Sequence, residues 1–133
     1  MIPDIASILF SGALGLLVIG LGGMLLSNHA YRVLLALVIA EAGANLMLVI
    51  AGYRWDAVAP ILTGNLQPQP MVDPVPQAMV LTAIVIGVGV QALALTMIIR
   101  IKKIYGTLNM VEIKKHMESD FDLRLNSGKG GDN

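Results

Sequence analysis

Four polar side chains can do chemistry in or beside the apolar segments of this chain: Glu41, Asn45, Gln91 and His29. Glu41 lies near the middle of residues 33–53, VLLALVIAEAGANLMLVIAGY, an otherwise apolar run. A carboxylic acid at membrane depth is costly and by default marks a functional site, and the residues alone admit three readings: a proton carrier, a paired group or an inert acid. Asn45 follows four residues later, so helical spacing puts both polar groups on one face with Leu37, Ala44 and Leu48. Ala36, Ala40, Gly43 and Ala44 form an adjoining surface of small residues. Small residues let helix backbones approach, so the polar pair is expected to face a helix interface and not lipid. Sodium binding by Glu41 and Asn45 alone is disfavoured, because one carboxylate and one amide leave most of a hard cation's oxygen shell empty.

Gln91 admits two readings, an interhelical hydrogen-bonding group or a member of a transport path. His29 also admits two: a solvated loop histidine, or a proton-entry group, since histidine is the side chain that changes charge near neutral pH.

The elements that must position these groups follow from composition. Of 133 residues 56% are hydrophobic and 14% charged, with a mean hydropathy of +0.74. Soluble domains carry roughly a quarter charged residues. The apolar residues gather in blocks long enough to span a bilayer, where about 20 residues suffice. Three spans are predicted, at about 5–26, 33–53 and 76–101, in one small three-helix membrane domain over residues 1–108. The fold class is therefore all-α integral membrane, an up-down-up bundle. A signal peptide fits residues 5–26 poorly, because no basic residue precedes the apolar core.

Residues 27–32, SNHAYR, make a short polar turn, so the first two spans are expected to be antiparallel neighbours. Residues 54–75 hold Pro60, Pro68, Pro70 and Pro74 with Gly64 and Asn65, the composition of an irregular loop, with a helical turn expected near 57–62. Tyr53 and Trp55 are placed as interfacial anchors. Pro76 suits a first helical position, and Asp73 can meet the free N–H groups of that turn. Seven of the nine basic residues lie from Arg100 onward, which marks that end as cytoplasmic and puts the amino terminus outside. Residues 109–133 form a polar cytoplasmic tail, with a short helix expected at 110–119 and a disordered end beyond about 126.

No cysteine is present, and there is no Gly-rich phosphate loop, no His, Asp and Glu cluster at metal-ligand spacing and no nucleophile with a base beside it. The expectation is no catalytic residue, no metal, no cofactor and no nucleic-acid partner; the partners are the lipid bilayer and other membrane subunits.

Two motifs resemble a known family. Residues 73–87, DPVPQAMVLTAIVIG, are similar to the signature of the small C-type component of the multisubunit Mrp-type Na+/H+ antiporters, D-P-x-P-Q-A-x-x-L-T-A-I-V-I. The second span, with Glu41 and Asn45, resembles the homologous K subunit of respiratory complex I, whose second helix carries a glutamate in a similar setting. The resemblance covers roughly residues 1–115. It implies a small non-catalytic subunit in a prokaryotic cytoplasmic membrane, wedged between other small subunits and large antiporter-like ones. Glu41 would then be a station on the intramembrane proton path, with Asn45 beside it.

One departure bears on mechanism. Complex I K subunits usually carry a second glutamate in the third span; an ungapped alignment on Leu93, Ala94 and Leu95 puts Val88 there, and residues 76–101 contain no acid. Glu41 is therefore expected to find its proton partner on another chain or through water. The mix of an antiporter-like third span and a complex-I-like glutamate suggests a module coupled to a redox complex, such as a membrane-bound hydrogenase or sulfane reductase. A stand-alone antiporter, a complex I K subunit proper and a purely structural spacer are the other readings.

Overall fold

The computed structural model describes residues 4–62, 64 and 69–129. Four helices appear in chain order: α1 (Ile5–Leu26), α2 (Ala30–Ala51), α3 (Val75–Tyr105) and α4 (Met110–Lys129). The first three are long and apolar enough to cross a membrane. The expected spans are all present: the first has the expected bounds, and the second and third are shifted by a few residues at their ends. The second starts and ends earlier, because residues 27–29 are enough for the turn and Gly52 caps α2 through its N–H to the carbonyls of Val49 and Ile50.

Helix α2 is the shared element: it packs on α1 along its length and on α3 at its other side. The α1–α2 contact is built from small residues. Ala13 and Gly20 of α1 are buried against Ala36, Ala40 and Gly43 of α2, each set recurring at helical spacing. A Cβ placed on Gly43 would stand 2.7 Å from Leu17 N and 3.0 Å from Ala13 O, and one on Gly20 would strike the Ala40 backbone. These glycines are spaces that the neighbouring backbone occupies, which is how helices associate without a hydrophobic driving force. Ala44, grouped with this surface from its spacing, is exposed.

Helix α3 is 31 residues long, about 46 Å. A hydrocarbon core is roughly 30 Å thick, so its last turns, with Arg100, Lys102 and Lys103, run on past it. At its start the Asp73 carboxylate accepts the Val75 N–H at 2.9 Å, and Pro76 falls one position later than expected, inside the first turn. Pro76 packs there under Gly52 at the end of α2. Gly106 closes α3 in the left-handed conformation (φ 71°), its N–H bonding Lys102 O.

The two connections differ in kind. The α2–α3 loop is irregular, as expected, but residues 57–62 form no helical turn. Val58 instead makes a parallel bridge to Met71, with Val58 N–H to Pro70 O at 3.0 Å and Val72 N–H to Val58 O at 3.1 Å. Pro60 accounts for this: it drives Ala59 away from helical angles and brings no N–H of its own. At the opposite end of the bundle the α1–α2 turn pairs with the α3–α4 link. Ala30 N–H donates to Leu108 O at 3.0 Å, and Met110 N–H donates to Asn28 O at 2.7 Å. The start of α4 is thus held against the start of α2.

Helix α4 extends to Lys129, well past the expected 119. The Asn109 side chain accepts the Val111 N–H at its start, Ile113 is buried, and Met110, Met117 and Phe121 continue the apolar stripe of Ile113. The expected disordered end covers residues 126–129, which are helical, and residues 130–133, which lie outside the described ones.

Candidate functional site

Midway along α2 the glutamate meets α3. Gln91 Nε2–H donates to Glu41 Oε2 at 2.8 Å, in a partly buried setting. The residue one turn before Gln91 on the same face is Gly87, the one buried residue of α3. The Glu41 carboxyl lies directly on Gly87, so that any Cβ there would collide with Oε1. The site therefore consists of a carboxyl group with one oxygen against a glycine backbone and the other bonded to an amide. Both helices place it close to their midpoints.

Among the described residues no charged partner accompanies it. Helix α1 has no ionisable side chain, and the only ionisable groups of α3, Arg100, Lys102, Lys103 and Tyr105, begin nine residues beyond Gln91, about 13 Å along the axis. On α2 itself Tyr31 and Arg32 are comparably far. Glu41 thus sits among uncharged groups and keeps a polar partner, an arrangement that suits an acid whose charge comes and goes.

The expected residues are placed unequally. Asn45 is half-buried one turn from Glu41, but the hydrogen bond to the carboxylate comes from Gln91. His29 is exposed at the start of α2, about 18 Å along the axis from Glu41, and its backbone takes part in the bridge to Asn109. Gln91 gives Glu41 a hydrogen-bond donor within this chain; an amide does not titrate, so it is not the proton partner expected on another chain or through water. The other polar groups of α3 stay local: the Thr82 and Thr96 hydroxyls donate to Ala78 O and Ala92 O of their own helix. Gln91 is the one that reaches across.

Gly87 was missed as a site residue although it stands in the DPVPQAMVLTAIVIG run. Its signal was the four-residue step to Gln91, a gap and a donor on one face. Also unforeseen is the stacking of Tyr105 on His116, with centroids 6.0 Å apart, which fastens α4 to the end of α3. Among the described residues no group of three His, Cys, Asp or Glu side chains could hold a metal ion.

The family model for NADH-ubiquinone/plastoquinone oxidoreductase chain 4L matches residues 8–118. The chain belongs to the chain 4L family. Curated relatives include the C1 component of the Na+/H+ antiporter of Staphylococcus aureus strains JH9 and Newman, each 34% identical over 97 residues, 73% of this chain and 84% of the relative. Among solved structures, a chain of the membrane-bound sulfane sulfur reductase, an archaeal respiratory membrane complex, is 44% identical. It superposes with a TM-score of 0.72 over 78% of this chain and 94% of that one. The chain 4L match spans both the Glu41 helix and the Gln91 helix, so the whole site lies within the family's domain.

Proposed function

We propose that this chain 4L family member is a small, non-catalytic membrane subunit of a multisubunit ion-translocating complex, with Glu41 as a proton-carrying residue in the path. The observation that carries this reading is the Glu41 carboxyl held midway along two span-length helices by the Gln91 amide and the Gly87 backbone, with no cation beside it among the described residues. Such a group is expensive to keep in a span and earns its place by changing protonation state. The bundle cannot perform transport alone. Its apolar outer faces on α1 and α3 need lipid and other membrane subunits, including large antiporter-like ones, to cover them. The basic end of α3 favours a cytoplasmic carboxyl terminus and an external α2–α3 loop.

Replacing Glu41 by Gln keeps the shape and polarity and removes the acid. In the purified complex reconstituted in vesicles, Glu41→Gln is expected to lower ion transport on the order of tenfold or more while the subunits still co-purify. Transport at the full rate would leave Glu41 only a packing role. That second reading, a spacer that seals its neighbours, draws on the tight α1–α2 contact, and Glu41→Ala separates the two: a spacer role predicts loss of assembly, a path role loss of transport alone.

The higher identity to the sulfane sulfur reductase chain than to the antiporter relatives favours a redox-coupled complex over a stand-alone antiporter. A tag on this chain would test it. Co-purification of iron–sulfur subunits supports redox coupling; antiporter-like subunits alone support the other assignment.

A further inference from the structure

We infer that Gln91 is a positioning residue whose side-chain amide follows the protonation state of Glu41, with Gly87 providing the seat that keeps the two groups in register. The inference rests on the proposed role of Glu41 and names the device within this chain that makes that role workable.

The chemistry of the amide carries the idea. A carboxylate needs hydrogen-bond donors, whereas a neutral carboxyl group also has an O–H that needs an acceptor. A fixed cation would satisfy only the first state, and a second carboxylate would compete for the same proton. A glutamine presents an NH2 and a carbonyl oxygen on one planar group, and half a turn about its last torsion exchanges them. In the structure the NH2 faces Oε2 at 2.8 Å, the arrangement that fits the carboxylate. When water or a proton donor of an adjoining subunit delivers H+ to Oε2, the new O–H lacks an acceptor, and turning the amide brings Gln91 Oε1 to it. One proton is gained by Oε2 and no bond of Gln91 is broken; release reverses the motion. In each state the group of Gln91 that faces Oε2 matches it: the NH2 donates to the carboxylate, and the carbonyl oxygen accepts from the neutral acid.

Gly87 makes the arrangement one-sided. Its backbone covers the Oε1 edge of Glu41, so exchange is confined to Oε2, the oxygen that faces Gln91. The four-residue step puts seat and partner on the same face of α3, and a side chain at 87 would push the carboxyl off both. From the two helices packed against α2 no titratable group intervenes: α1 carries none, and those of α3 are confined to Arg100, Lys102, Lys103 and Tyr105 at its far end.

Infrared difference spectroscopy of the intact purified complex, between pH values that protonate and deprotonate Glu41, tests the inference. Glutamine labelled with 13C at its side-chain amide identifies the amide response, and Glu41→Gln identifies the carboxyl band. The wild-type complex is expected to show a labelled-glutamine band that is lost in Gln91→Met, an unbranched apolar replacement of similar length, and lost again in Glu41→Gln and Gly87→Ala. A pH-dependent glutamine band that survives Gln91→Met, or no such band while the Glu41 carboxyl band titrates, overturns it. The transport assay of Glu41→Gln remains separate: full transport there removes the path role of Glu41, whereas lost transport with no Gln91 band removes only the amide device.

Discussion

A carboxyl group in the middle of a span needs a polar partner, and Glu41 finds one for Oε2 on α3 and not on its own helix. This ranks its neighbours. Asn45→Leu is expected to reduce transport less than Gln91→Leu, since the hydrogen bond to the carboxylate comes from Gln91 at 2.8 Å. Loss of that bond strands a polar group, at about 1–3 kcal/mol, and initial transport rates of the two variants in the same vesicles check the order. Glu41 was legible in the sequence because a lone acid in an apolar run stands out in one dimension. Its pairing with Gln91 was not, since that depends on the rotation of α3 about its axis. Spacing within a helix shows which residues share a face, never which face meets a neighbour.

At the scale of elements, the α1–α2 contact depends on the lack of side chains at Gly20 and Gly43. A leucine at Gly43 would force α1 away from α2, because even its Cβ would stand 2.7 Å from Leu17 N. Overpacking of this sort costs about 1–3 kcal/mol, and Gly43→Leu is expected to lower the yield of assembled complex in mild detergent. Gly12 is the control: a Cβ there meets nothing within 4 Å, so Gly12→Ala adds no clash and is expected to stabilise α1 by roughly 0.5–1 kcal/mol through helix propensity alone. The spans themselves were readable from block hydrophobicity, and so was the polar turn between the first two. The length of α4 was not, because a polar helix is held by weak local terms such as the exposed Lys114 and Glu118 pair, and those leave little trace in composition. The bridge between Val58 and Met71 was equally hidden, being made by backbone groups far apart in sequence.

For the molecule as a whole, α2 is the only helix that both other spans lean on, so the site between α2 and α3 depends on how α3 is held at its ends. One end is fixed by Pro76 under Gly52, the other by Gly106, whose left-handed turn sends the chain back to the α1–α2 connection. Gly106→Ala is expected to cost about 1–2 kcal/mol of that docking. Faster amide hydrogen exchange at buried Ile113, with exchange in α2 unchanged, is the measurement that shows it.

The pairing of the two helix starts has a consequence for which substitutions evolution can accept there. Ala30 and Met110 are the first residues of α2 and α4, positions where proline is ordinarily welcome because the N–H has no partner inside the helix. Here both N–H groups are spoken for, by Leu108 O and Asn28 O. A saturation library at residues 30 and 110 should therefore accept a broad range of side chains and reject proline, the reverse of the usual tolerance at a helix start. The mark of this contact in a set of natural variants would be one missing amino acid at each of two distant positions, with no shared preference for any other.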